Sequence, residues 1–271
     1  MRLGFALLTH DRPEQLIRLV QALRRAFPDS AIACHHDTTQ SRLDPATLPE
    51  VSFVTTPYAT AWGHSSIVDG TLAALRILRD SAQPPDWYYL LSGSDLLIKH
   101  PRRILRDLAA ADCDVFIDNT PIREGPSFNH LIEVRQFRYF SDTAPAFPTG
   151  FICYAGEHWF TANRRAIDWL LDHERHAPGL LAHYKAQEET RHVSPDESFY
   201  HTVFCNAPHL KVRNDSLRYI DWSRAQAHPK TLTLRDLPWI LRSHAHFSRK
   251  VDIWKSRGLL AAARLLGWTG K

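Results

Sequence analysis

The stretch Trp87–Lys99, WYYLLSGSDLLIK, decides how the chain is read. Its apolar run, Trp87 to Leu91, ends abruptly in Ser92, Gly93, Ser94 and Asp95. An apolar run bounded by small polar residues reads as a buried strand, and in an open α/β sheet ligands bind outside the carboxyl ends of strands. This short acidic end therefore marks a place where something is held. A metal, a nucleotide and no ligand at all are open readings at this point.

Working outward, LGFALL (3–8), AIACHH (31–36), VSFVTT (51–56) and DVFIDN (114–119) read as further strands. Asp11 is placed to cap a helix whose Leu16, Leu19, Val20 and Leu23 share one face, with Glu14 in the capping-box position and Pro28 beyond its end. Helical patterns also cover about 65–80, the segment from His100 with Pro101 in its first turn, and about 161–175. Strand and helix alternate, which predicts an α/β fold with a mostly parallel sheet covered by helices. Between about 120 and 150 the pattern dissolves into Pro, Gly, Phe and charges, read as a long functional loop.

A chain of 271 residues can bury a full core, and one catalytic domain spanning 1–271 is expected. No apolar run reaches the roughly 18 residues of a membrane helix, and the apolar start is too short for a signal-peptide core. Cys34, Cys113, Cys153 and Cys205 are widely spaced with no C-x-x-C pair, which suits buried thiols in a reducing, cytoplasmic setting. The net charge of +4 is mild and its arginines are dispersed. With no recognisable nucleic-acid module, no nucleic-acid partner is expected.

The tail IWKSRGLLAAARLLGWTGK (253–271) puts Leu259, Ala262, Leu265 and Leu266 on one helical face, with Lys255, Arg257, Arg264 and Lys271 nearby. This suits a helix packed on the domain, the preferred reading, or a peripheral contact with an anionic membrane on its inner face. One literal Asp-x-Asp occurs, Asp112-Cys113-Asp114. It precedes a strand and so lies at the wrong edge for a metal site, while Asp95 alone offers few acidic ligands.

WGHSS (62–66), LLSGSD (90–95), SPDESF (194–199) and the run from LRYIDWS (217–223) through HPKT (228–231) to HFSRKVD (246–252) stand in one order along the chain. With LLTHDRPEQLIRLVQAL at the start and AGEHWFTANRRA (155–166), they resemble the core-2/I-branching glycosyltransferases, a family that includes the peptide xylosyltransferases. The resemblance implies a GT-A type nucleotide-sugar fold and inverting transfer from a UDP-sugar to an acceptor hydroxyl, on a glycan, with no cofactor and no metal. It implies a donor-binding half over about 1–119, an acceptor and catalytic half over about 120–252, and the C-terminal helix beyond.

The family's base maps onto Glu197 of S-P-D-E, although Ser194, Pro195 and Glu197 alone also spell a helix start with a capping box. The resemblance also implies donor contacts from His10, Asp37, Trp62 and Asp95, diphosphate contacts from Lys230, Arg249 and Lys250, and sugar or acceptor contacts from His158 and Trp159. Where the xylosyltransferases carry an aspartate this chain has His158, which leaves donor and acceptor open. A metal-dependent transferase using Asp95 or Asp112 and Asp114, and a noncatalytic sugar-binding module, are the alternatives.

Overall fold

The computed structural model describes residues 1–140, 145–188, 194–223 and 228–270. Parts of the 120–150 stretch and of the 217–252 run, and the tail cation Lys271, lie outside the described residues. The first strands are β1 (Leu3–Thr9), β2 (Ala31–His36), β3 (Ser52–Phe53), β4 (Trp87–Ser92), β5 (Leu96–Leu97) and β6 (Val115–Ile117). They are followed by β7 (Thr120–Ile122), β8 (Cys153–Ala155), β9 (Phe160–Asn163), β10 (Val212–Arg213), β11 (Arg218–Ile220) and β12 (Phe247–Arg249).

The central sheet runs in the order β10-β6-β9-β4-β1-β2-β3. Only β9 opposes its neighbours β4 and β6, so the sheet is mostly parallel, as the alternation predicts. Because side chains alternate across a strand, each strand feeds two cores. Phe5, Leu7, Tyr89 and Leu91 pack with Leu16, Leu19, Val20 and Leu23 of the Pro13–Ala26 helix and with Ile104 and Leu108 of Pro101–Ala109. Ala6, Tyr88 and Leu90 face the other side, against Val68, Leu72 and Leu75 of the Ser66–Arg79 helix and Ile167 and Leu170 of Arg164–Leu171.

Several local expectations are corrected. Asp11 does not cap the first helix: Arg12 occupies the cap position in the left-handed region (φ 49°) with no side-chain cap bond. The 51–56 strand shrinks to Ser52–Phe53, an edge strand. The stretch read as a long loop holds β7 and a helix, His130–Phe140. Its polar and aromatic composition hid the helix, because only Tyr139 of that helix is fully buried and no apolar stripe marks it. Residues 160–163 form β9, after which Asn163 caps Arg164–Leu171 by accepting from the Ala166 amide.

A three-stranded sheet, β11-β12-β5, lies over a third core of Leu96, Ile98, Leu232, Ile240, Val251, Leu259 and Ala263. The tail helix Arg257–Leu265 packs here through Leu259 and Ala263; of the face first read Leu259 is buried, while Leu265 is 89% and Leu266 43% exposed. Leu259→Ala is therefore expected to destabilise the fold by about 2–5 kcal/mol, and Leu265→Ser by less than about 0.5 kcal/mol, in urea melts. Among the described residues no helix is long and apolar enough to cross a membrane.

Candidate active site

The strand end that opened the reading holds a side chain of the protein itself. Asp95 is fully buried, with Oδ1 accepting from Arg218 Nη1 at 2.7 Å and Oδ2 accepting from the Ser92 amide at 2.7 Å and Ser92 Oγ at 2.9 Å. Both oxygens are filled, so Asp95 fixes Arg218 and, fully buried, presents no free carboxylate oxygen at the strand end. Removing either partner would leave an uncompensated buried charge. Asp114 sits at the amino end of β6 and accepts from Arg165, Asn163 and the Lys211 amide, and Asp112 pairs with Arg213. Both lie at the edge opposite Asp95, as their place before the strand predicts.

At the same carboxyl edge, His10 follows β1, stands exposed, and accepts from Ser41 Oγ through its carbonyl at 2.9 Å. Asp37 follows β2 and is wholly buried. It accepts from the amide and hydroxyl of Thr39, the amide and hydroxyl of Thr60, and Gln40 Nε2, all within 2.9 Å. Burial alone would raise its pKa, but these donors outweigh burial and hold it well below the usual carboxylate range. Asp37 thus clamps the 37–41 turn to the 58–62 segment. Trp62, 66% exposed, stands in the turn just before the Ser66–Arg79 helix.

The expected cations divide. Lys230 Nζ donates to Asp236 Oδ1 at 2.5 Å and Asp221 Oδ2 at 3.2 Å, so its charge is neutralised within its own loop, which corrects the expectation of three available cations. Arg249, at the end of β12, lays its guanidinium 4.1 Å from the centroid of the Trp159 ring. It makes no carboxylate ion pair among the described residues, and its Nε is buried without a partner. Lys250 is half-buried, and its ammonium has neither hydrogen bond nor ion pair among the described residues. Burial, and then the adjacent Arg249 charge, lower its pKa. Trp159, 6% exposed, lies beneath Arg249 and within 5.5 Å of the Arg218 guanidinium, a supporting place rather than an open one.

Glu197 ends a short 3₁₀ turn, Pro195–Glu197, whose cap Ser194 makes no side-chain cap bond. The capping-box reading therefore does not apply, and the carboxylate is turned outward, 38% exposed and 3.5 Å from Arg138 Nη1. Burial, reinforced by the neighbouring Asp196 charge and opposed by Arg138, pushes its pKa up to about 7. Its carbonyl accepts from the Gly156 amide at 2.9 Å, which ties the turn to the 155–160 segment. Gly156 is required there, because a Cβ would fall 1.8 Å from the Asp118 carbonyl oxygen. His158 Nδ1 stands 2.8 Å from Asp196 Oδ2.

Several residues of this site escaped the sequence reading. Arg135 and Arg138 lie one turn apart on the His130–Phe140 helix, and that spacing was the signal available within the apparent loop. Glu157 is half-buried; burial and then Asp118 raise its pKa, while Arg249 opposes them. Among the described residues no group of three His, Cys, Asp or Glu is arranged to hold a metal ion. A cleft lined by Arg2, Arg24, Ser30, Glu50 and Asp86 lies at the opposite, amino edge of the sheet, away from this chemistry.

A sequence model described as Core-2/I-Branching enzyme matches residues 3–241. The chain is 29% identical over 200 residues to beta-glucuronosyltransferase GlcAT14B of Arabidopsis thaliana, covering 68% of this chain and 45% of that protein. It is 26% identical over 238 residues to human xylosyltransferase 1, covering 83% of this chain and 24% of that protein. The chain thus spans less than half the length of these curated relatives. Among solved structures, the galactosyltransferase LgtC with donor and acceptor sugar analogs aligns over 99% of this chain and 95% of its own, at 13% identity and a TM-score of 0.48.

Proposed function

Because the chain belongs to the Core-2/I-Branching enzyme family, we propose that it is an inverting glycosyltransferase that moves a sugar from a UDP-sugar to an acceptor hydroxyl without a metal. The observation that carries this reading is Glu197: a carboxylate free of capping, pushed up to about 7, and partly exposed beside Arg138. A base is most effective when its pKa lies near the working pH. In the reaction, the acceptor oxygen attacks the anomeric carbon as its proton passes to Glu197. The bond from that carbon to the diphosphate oxygen breaks on the opposite face, and UDP departs with the electron pair.

Charge then accumulates on the diphosphate, where fixed positive groups lower the barrier most. Arg249 and Lys250, adjacent cations without carboxylate ion pairs among the described residues, are assigned that role. Lys230 orders the loop beside them, since the Leu232 amide donates to the Lys250 carbonyl at 2.9 Å. Asp37, His10 and Trp62 frame the nucleoside side, and the Arg135 and Arg138 face frames the acceptor, read as a glycan.

The names of the relatives make UDP-glucuronic acid and UDP-xylose the first donors to try. Thermal shift with each donor, then UDP release in excess EDTA with and without simple glycosides, tests the reading. UDP release that persists in EDTA is expected. Activity abolished by chelator and restored by Mn²⁺ would overturn metal independence, and binding without turnover of any donor would mark a noncatalytic module.

A further inference from the structure

His158 and Asp196 form a buried couple that the reaction as described does not use. The imidazole is 10% exposed and the Asp196 side chain 15%. Nδ1 is engaged with Asp196 at 2.8 Å, and Nε2 is buried with no hydrogen-bond partner. The ring is walled by the edges of Trp159, at 4.7 Å between centroids, and of Tyr200, at 5.7 Å. Neither nitrogen is therefore open to a sugar in the cleft, and a direct contact of His158 with substrate does not fit this placement.

What the ring does hold is the residue before Glu197. Asp196 and Glu197 share the Pro195–Glu197 turn, and the 155–160 segment grips that turn at two points: the Gly156 amide on the Glu197 carbonyl, and His158 on the Asp196 carboxylate. Two anchors on consecutive residues leave the turn little freedom to rotate. We propose that His158 is a positioning residue for Glu197: by fixing Asp196 it sets both the direction of the neighbouring carboxylate and the negative charge that carboxylate feels. The role assigned to Glu197 rests on the function proposed above.

Among the described residues, Asp196 is one of the four charged groups that act most strongly on Glu197. The others are Arg138 and Arg135 from the His130–Phe140 helix and Glu157 from the 155–160 segment. Around His158 itself stand Asp196 and, from the Phe199–Cys205 helix, His201, which burial keeps neutral. Among these groups only Asp196 is both beside Glu197 in the chain and held by a side-chain contact to the adjacent segment.

The test is a ¹³C titration of glutamate carboxyls in the full chain, which needs no substrate, with the Glu197 signal assigned by its loss in Glu197→Gln. In the parent the signal is expected to titrate near 7, since burial and the Asp196 charge push the Glu197 carboxyl up to about 7. In Asp196→Asn the midpoint should fall by about one pH unit, because a like charge has been removed. His158→Phe, which cannot hold Asp196, should also depart from the parent. His158→Asn, whose amide can reach the Nδ1 position, should titrate like the parent. Parent-like titration of Asp196→Asn or of His158→Phe would overturn the proposal, as would equal departures of His158→Asn and His158→Phe. If Glu197→Gln transferred sugar at the parent rate, the base assignment would fall while the titration still decided the coupling.

Discussion

Glu197→Gln is expected to lower sugar transfer by about 10²-fold or more while UDP binding is kept, because it removes a proton acceptor without changing size. The side chain accepts no hydrogen bond among the described residues, so the amide disturbs only the Arg138 contact. The substitution also carries a stability signature. A carboxyl whose folded pKa of about 7 lies above glutamate's ordinary 4.5 stabilises the fold fully below the lower value. That contribution is lost as pH rises through the upper one. Glutamine does not ionise, so the melting temperature of the variant relative to the parent should climb across that window. A variant that is inactive yet relatively more stable at neutral pH would carry the mark of a residue kept for chemistry. Wild-type rates in Glu197→Gln would reduce the residue to a turn former.

Lys250→Ala should weaken UDP binding and cut transfer by about 10²-fold, the usual scale for losing one preorganised electrostatic contact to developing charge. Lys250 stands beside Arg249, half-buried, with no carboxylate in contact among the described residues. Two adjacent cations held this way repel each other in the ligand-free protein, and a diphosphate relieves that repulsion. The free variant should therefore melt at or above the parent temperature, while the melting shift that UDP induces shrinks. Lys230→Ala should have a smaller effect on UDP, since its ammonium is bound to Asp221 and Asp236 and acts through the loop. Calorimetric UDP titrations of the two variants compare them directly; equal UDP affinity in Lys250→Ala and the parent would remove Lys250 from the diphosphate site.

Much of the fold was legible because β1, β2 and β4 are buried on both faces and so read as continuous apolar runs. The helix at 130–140 was not legible, since an exposed helix beside a cleft has little apolar face to announce it. The motif match brought Glu197, Arg249 and Lys250 to attention, but the roles of their neighbours depend on contacts between distant segments. Asp95 shows this best: its strand-end position signals a held charge, yet its partner, Arg218, lies 123 positions away. The same holds for His158, whose partner Asp196 is 38 positions on and whose exposure decides between contact and support. For Lys230, the pairing of a lysine with two carboxylates across a loop leaves no mark in a linear pattern.

The central claim is that Glu197 takes the acceptor proton, and the pH dependence of kcat/KM for sugar transfer tests it most directly. The base works only when ionised, so activity should fall as pH drops through about 7, with the slope of a single proton. A profile that stays flat from about pH 5 to about pH 8 would contradict the account, because no carboxyl with the proton affinity of Glu197 could then be carrying the transfer.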